Sequence, residues 1–186
     1  IHIILFKMNL LQLIDEVFAL VKTIIPTDLY IQKTYAECFL EFLNIDLFDD
    51  NLMVYDEQIE RIQPRFAMRL PFIDEKRDFL FTHVIEPKLK DLGTVFITHY
   101  PASQAALAAI DEQNPLTALR FELYIDGLEI CNGFQELSSA SEQEQRFIID
   151  QESRKESGKP VYPYDTHLIN ALASHFPLCS GVAIGL

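Results

Sequence analysis

No stretch of the sequence approaches the roughly 18 consecutive apolar residues that a membrane-spanning helix needs, so no such span is expected. The apolar opening Ile1–Leu5 has neither a basic segment nor a small-residue cleavage site, and it does not read as a signal peptide. It also lacks an initiator Met, which suggests a start inside a longer protein. Positive charge is scarce: 15 Lys and Arg face 28 Asp and Glu, for a net charge of −13. Such a chain lacks the electrostatic footprint of a phosphate-backbone binder, and direct nucleic-acid binding is not expected. Cysteine is scarce too. Cys38, Cys131 and Cys179 are odd in number, widely spaced and without a CxxC pair. That argues against a disulfide framework or zinc site and for a reducing, cytoplasmic setting. They read as small buried hydrophobes. The histidines, His2, His83, His99, His167 and His175, show no metal-ligand spacing and read as structural or solvated. Walker-type loops, Gly-x-Ser-x-Gly elbows, internal repeats and low-complexity tracts are all absent.

What is present suits one globular domain over 1–186, since 186 residues at 49% hydrophobic content can bury a sizeable core. Residues 1–92 read as mainly helical, and residues 93–186 as the sheet that carries the site. Leu10, Leu13, Ile14, Val17, Leu20, Val21 and Ile24 form a helical stripe within Asn9–Ile25, ended by Pro26. Thr34–Glu37 is a capping box that opens a short helix. Asp46–Asn51 is an acidic loop, Ile59–Phe72 is interrupted by Pro64 and Pro71, and Asp74–Val84 predicts a helix. Pro87 is expected to straighten Ile85–Leu92. From Gly93 the character changes: Thr94–Tyr100 is β-branched and aromatic, and Ala102–Ile110 is small and helix-tolerant. Phe121–Ile125 and Leu128–Cys131 are strands joined by Asp126-Gly127, a strong hairpin signal. Ser139 caps a polar helix to about Ser157, Asp165–His175 is a further helix, and Cys179–Leu186 a small-residue strand.

The two-residue turn predicts a register: Tyr124 opposite Glu129, Leu123 opposite Ile130, and Glu122 opposite Cys131. Glu122, Tyr124, Glu129 and Cys131 then share one face, and Phe121, Leu123, Ile125 and Ile130 the core face. Glu122 and Glu129 become diagonal neighbours, about 7–8 Å apart. Carboxylates so placed repel unless a cation sits between them, and magnesium (Mg2+) suits one or two carboxylates plus phosphate oxygens. A solvated acidic sheet face is the alternative. Strict alternation puts Asn132 on the opposite face from Glu129, unless a bulge, which Gly133 would ease, brings it round. In the last strand Gly181, Ala183 and Gly185 alternate with Val182, Ile184 and Leu186. The nearly bare face admits a flat ligand or a crossing helix.

Four segments together resemble the second half of a class II lysyl-tRNA synthetase catalytic domain, and more closely its short paralogues, the elongation factor P–lysine ligases. They are Thr34–Asp46 (TYAECFLEFLNID), His99–Ala106 (HYPASQAA), Arg120–Arg146 (RFELYIDGLEICNGFQELSSASEQEQR) and Cys179–Gly185 (CSGVAIG). The resemblance implies an α+β fold, a class II aminoacyl-tRNA synthetase-like antiparallel sheet flanked by helices. It implies activation of lysine or β-lysine by ATP and magnesium as an aminoacyl-adenylate, then transfer to a lysine of elongation factor P. It also implies a cytoplasmic homodimer in the complete protein. Glu122 and Glu129 would hold the metal; Glu129, Ile130 and Gly185 would line the ATP site. Asn132, Glu136 and Ala183 would bind the lysine-type substrate, with Glu136 near its amine. No residue of this chain is expected to act as a catalytic acid or base.

The sequence departs from the family pattern in three places. No F-R-x-E segment supplies the α-phosphate arginine. Ile3-Ile4-Leu5-Phe6-Lys7 stands where an acidic, aromatic L-E-W-Y-like stretch is usual, and the acidic-Arg pair that follows the last strand in the family lies beyond Leu186. The expectation is that these 186 residues are inactive alone. A lysyl-tRNA synthetase fragment and a non-catalytic binding module of the same fold are the competing readings.

Overall fold

The computed structural model describes residues 1–186 apart from Asp50, His175 and Leu186. Each of those three falls at or near the end of an expected element: the acidic loop, the Asp165 helix and the last strand. Those ends lie outside the described residues.

Six strands form one sheet in the order β1-β6-β5-β4-β3-β2. They are β1 (His2–Phe6), β2 (Ile31–Thr34), β3 (Thr94–Pro101), β4 (Thr117–Ile125), β5 (Leu128–Gln135) and β6 (Cys179–Ile184). All neighbours pair antiparallel except β2 and β3, which run parallel. The expected α+β fold is therefore present, with one parallel pair, and β1 and β2 bring the first half of the chain into the sheet.

Helix α1 (Leu10–Lys22) covers one face of the sheet. Asn9 caps it in a capping box with Gln12, and the Thr23 hydroxyl takes up the Leu20 carbonyl. It therefore stops short of Pro26. Its stripe of Leu10, Leu13, Ile14, Val17 and Val21 packs on Phe96, Phe121, Leu123, Cys131, Val182 and Ile184. Removing these side chains from water is the main stabilising term on this side.

On the opposite face, α2 (Tyr35–Leu43), α3 (Leu52–Ile62), α4 (Ile73–Leu80) and α5 (Glu86–Leu89) pack against Val95, Ile97 and Tyr100 of β3 and Tyr124 of β4. In the capping box at the start of α2, Thr34 N–H donates to Glu37 at 2.7 Å, and Glu37 N–H donates to the Thr34 hydroxyl at 3.1 Å. The helix closes on Asn44 in the left-handed conformation, φ 56°. Between α4 and α5 the chain makes one π-helical turn, Phe81–Ile85. Pro87 was expected to straighten this segment; instead the helix continues through it. Pro87 stands in the first turn of α5, where a missing N–H costs little. Ala102–Ile110, which is helix-tolerant, forms only a short 3₁₀ turn at Ala102–Gln104 before crossing the sheet end.

The Asp126-Gly127 turn is as expected, with both residues at positive φ (51° and 80°). The strands on either side run further than the sequence pattern indicates, to Thr117 and Gln135. Helices α6 (Ala140–Glu156) and α7 (Thr166–Ala173) then lead into β6.

Candidate active site

The hairpin holds its expected register for two residues on each side of the turn: Ile125 faces Leu128 and Tyr124 faces Glu129. It then slips. Leu123 faces Cys131 and Glu122 faces Asn132, so Ile130 is the extra residue of a β-bulge. This corrects the expected pairing of Leu123 with Ile130 and Glu122 with Cys131. Cys131 turns into the α1 core, and Asn132 arrives on the face of Glu122. Gly133 does not make the bulge. A Cβ there would lie 2.6 Å from the Phe121 ring, so close packing dictates the glycine.

Glu122 is buried, at 7% exposure, and its carboxylate is fully engaged. Its Oε1 accepts from Arg120 at 2.5 Å and from the Asn132 amide at 3.3 Å. Its Oε2 accepts from the Tyr100 and Tyr124 hydroxyls, each at 2.6 Å. Burial first and the Glu122 charge second push both phenols above their ordinary range, so they remain donors. Arg120 also stacks on the Tyr100 ring, 4.5 Å to its centroid, and donates to the Gln104 carbonyl at 2.9 Å.

Glu129 stands on the rim of a cavity of about 440 Å³ whose wall includes Tyr35, Phe81, Glu86, Glu122 and Tyr124. Loss of water on its protein side raises its pKa, and the charge of Glu122 raises it further. Glu86 is raised in the same order, by burial and then by Glu122. A cation would relieve this mutual repulsion. Among the described residues no group of three or more His, Cys, Asp or Glu is arranged to hold a metal. The donor set suits an ion carried largely by ligand oxygens, with Glu129 as the accessible carboxylate.

On the same sheet face, Asn132 pairs with Ala183 and Phe134 with Gly181. Val182 and Ile184 point into the α1 core, and Ala183 is exposed. Glu136 is half-buried, and burial alone raises its pKa. No charge or hydrogen bond among the described residues offsets that burial. Its Oε1 lies 2.5 Å from where a Cβ on Gly181 would stand, so a side chain at Gly181 would displace it. At Gly185 a Cβ would meet only the Ile130 carbonyl, at 3.8 Å. Gly185 N–H donates to that same carbonyl at 2.9 Å, so the bulge and the end of β6 are tied together.

The family model of class II tRNA synthetases (D, K and N) matches residues 8–186. The chain belongs to that family. The elongation factor P–(R)-β-lysine ligase of Yersinia enterocolitica (serotype O:8 / biotype 1B) is 36% identical over 182 residues, 96% of this chain and 55% of the relative. The protein of the same name from Photorhabdus laumondii subsp. laumondii is 37% identical over 183 residues, again 96% and 55%. The chain thus spans about half the length of these relatives.

In this class II synthetase domain the sequence pattern placed Tyr124 on the face of Glu122 but missed other residues of the cavity and its network, Arg120, Tyr100 and Glu86 among them. Arg120, like Tyr124, shares the parity of Glu122 along β4, a signal open to direct reading. Tyr100 carried no such signal. His99 has φ 53°, and the register shifts between Thr98 and Tyr100. Thr98 therefore pairs with Phe121 on the α1 face, while Tyr100, two residues on, reaches the face of Glu122. Glu86 follows the π-turn directly and lines the cavity; such turns are often found at functional sites. His99 itself sits 4.0 Å from Asp111 and bonds Thr98, away from the Glu122 network.

Proposed function

We propose that the chain is part of a ligase that activates lysine or β-lysine with ATP and passes it to a lysine of elongation factor P. The observation that carries this reading is Glu136: a half-buried carboxylate without an offsetting partner among the described residues, above the bare backbone of Gly181 and one sheet face with Asn132. Such a group suits a substrate ammonium.

The chemistry requires positioning more than proton transfer. A carboxylate oxygen of the amino acid bonds to the α-phosphorus of ATP, and the bond to the departing pyrophosphate breaks. The acceptor amine then attacks the acyl carbon, loses its proton, and AMP leaves. Asn132 and Glu136 would hold the two ends of the amino acid in line for the first attack. Ala183, opposite Asn132, would limit the space beside the substrate. Glu129, the Ile130 backbone and Gly185 would flank the nucleotide. Magnesium would be held at Glu129 with Glu122 beside it, neutralising phosphate charge. The cytoplasm and a homodimer are the setting that goes with this reading, and three buried free cysteines suit a reducing compartment.

The test is ATP–pyrophosphate exchange with each lysine isomer, followed by transfer to elongation factor P or to tRNA, on the protein containing these residues. Exchange with lysine or β-lysine that Glu136→Gln abolishes, and labelling of elongation factor P, are expected. Labelling of tRNA alone would replace the acceptor, and exchange untouched by Glu136→Gln would remove the residue from the site.

A further inference from the structure

We propose that Arg120 is a positioning residue: with Glu122 it fixes which way the Asn132 amide faces, and its guanidinium keeps a ligand ammonium from the Asn132 carbonyl, which sets the direction in which the substrate lies. This rests on the reading of Asn132 and Glu136 as the amino-acid site. Arg120 Nε–H can only donate, and it meets Asn132 Oδ1 at 3.3 Å. Glu122 Oε1 already accepts from Arg120, and the other end of the Asn132 amide meets it at 3.3 Å as a donor. Both contacts demand the same orientation, carbonyl to Arg120 and NH₂ to Glu122. A flip would set carbonyl against carboxylate and NH₂ against guanidinium.

An Asn amide has two N–H donors, and one is used on Glu122. The other remains for a ligand, while the carbonyl, which keeps a second lone pair, lies beside the Arg120 guanidinium, a cation that repels another one. Asn132 can therefore offer its ligand a donor, and suits the carboxylate end of an amino acid rather than its ammonium. The ammonium is left to Glu136, an acceptor without an offsetting partner among the described residues. Remove Arg120, and Glu122 still holds the NH₂ end, but the carbonyl loses its cationic neighbour and is open to an ammonium, which accommodates the substrate in either direction.

Arg120 is itself held on three sides. It lies over Tyr100, bonds Glu122 at 2.5 Å, and donates to the Gln104 carbonyl at 2.9 Å. A lysine keeps the charge but has no planar fork to span Glu122, Asn132 and Gln104 at once. Arg120→Lys thus separates orientation from charge.

The experiment compares Arg120→Lys and Arg120→Gln with the parent protein. The side-chain amide signals of Asn132, identified by their loss in Asn132→Ser, are followed by ¹⁵N NMR. Titration calorimetry gives the affinity for lysine and β-lysine. In both Arg120 variants the Asn132 signals should move, because the carbonyl loses the guanidinium while the NH₂ stays on Glu122, and affinity for the preferred isomer should fall about tenfold. In an Asn132→Ala background Arg120→Gln should cost little more. Unchanged Asn132 signals in Arg120→Lys, or a full additional loss on top of Asn132→Ala, would overturn the proposal. Failure of the parent to bind either isomer would sink the reading of the amino-acid site instead, and the Asn132 signals would still decide the role of Arg120.

Discussion

Tyr100 and Tyr124 donate to the same oxygen of Glu122, each at 2.6 Å, from two different strands. Their convergence depends on the irregularity at His99, which turns Tyr100 towards β4. Buried carboxylates are tolerated only when their lone pairs are filled, and here the filling groups also wall the cavity.

Replacing Glu122 with Gln should therefore be costly. The amide NH₂ cannot accept, so it would leave phenol or guanidinium donors without a partner. A loss of about 2–4 kcal/mol is expected from urea denaturation. Tyr100→Phe and Tyr124→Phe should each cost about 1–2 kcal/mol. A Gln variant within 0.5 kcal/mol of the parent, roughly the scatter of a neutral surface change, would mean that the network contributes little.

The glycines separate stability from binding. Gly133→Ala drives a methyl group into the Phe121 ring and should destabilise by about 1–3 kcal/mol. In Gly181→Ala the clash is with the movable Glu136 carboxylate, so lysine affinity should fall further than stability. Gly185→Ala meets nothing closer than 3.8 Å and should leave the fold intact. Equal losses of stability in all three would contradict this ordering; denaturation and calorimetry on the same samples decide it.

Burial raises Glu129 and Glu136 above their ordinary value when folded, with the charge of Glu122 adding to the shift of Glu129. Such groups bind protons more tightly in the native state. Their contribution to stability is full below the unfolded pKa of about 4.3 and is lost as pH rises through the folded value. Glu37 has the opposite sign. The Thr34 backbone N–H lowers its pKa, so its contribution is present above the unfolded value and fades as pH falls. Glu136→Gln should thus lessen the decline in urea midpoint from pH 4 upward. A slope identical to the parent's would count against a perturbed Glu136.

Burial pushes the thiols of Cys38 and Cys131 up to about 12. Both should resist alkylation at neutral pH and react only as fast as the protein opens. Labelling followed by mass spectrometry should show their rates rising with urea in parallel with unfolding. Rapid labelling in native buffer would place them outside the core.

The parts legible in the sequence were those set by local chemistry. Asp126-Gly127 marked the turn, Thr34 and Glu37 marked the start of α2, and the Leu10-to-Val21 stripe marked α1. Glu122, Glu129, Asn132 and Glu136 were all recognisable as polar residues around one hairpin. Their mutual placement was not. Ile130 has no local reason to bulge; its carbonyl is taken by Gly185, more than fifty positions on. His99 carries no Gly or Asn signature for positive φ, and β2 is four residues long with little burial pattern to betray it. Each of these depends on a strand distant in sequence, which periodicity cannot register.

The strand order also divides the sheet by the time at which it can form. Strands β3, β4 and β5 meander, each joined to the next by a connection within the same stretch of chain, and they carry Tyr100, Arg120, Glu122, Glu129 and Asn132. β1 and β6 must close a loop of nearly the whole chain; Ser180 meets the Met8 carbonyl across 172 residues. Loop closure of that length is slow and is deferred until local contacts have formed. The polar network should accordingly gain hydrogen-exchange protection early in refolding, while the β1–β6 seam, which completes the floor beneath Glu136, is the last to lock and the first to fray.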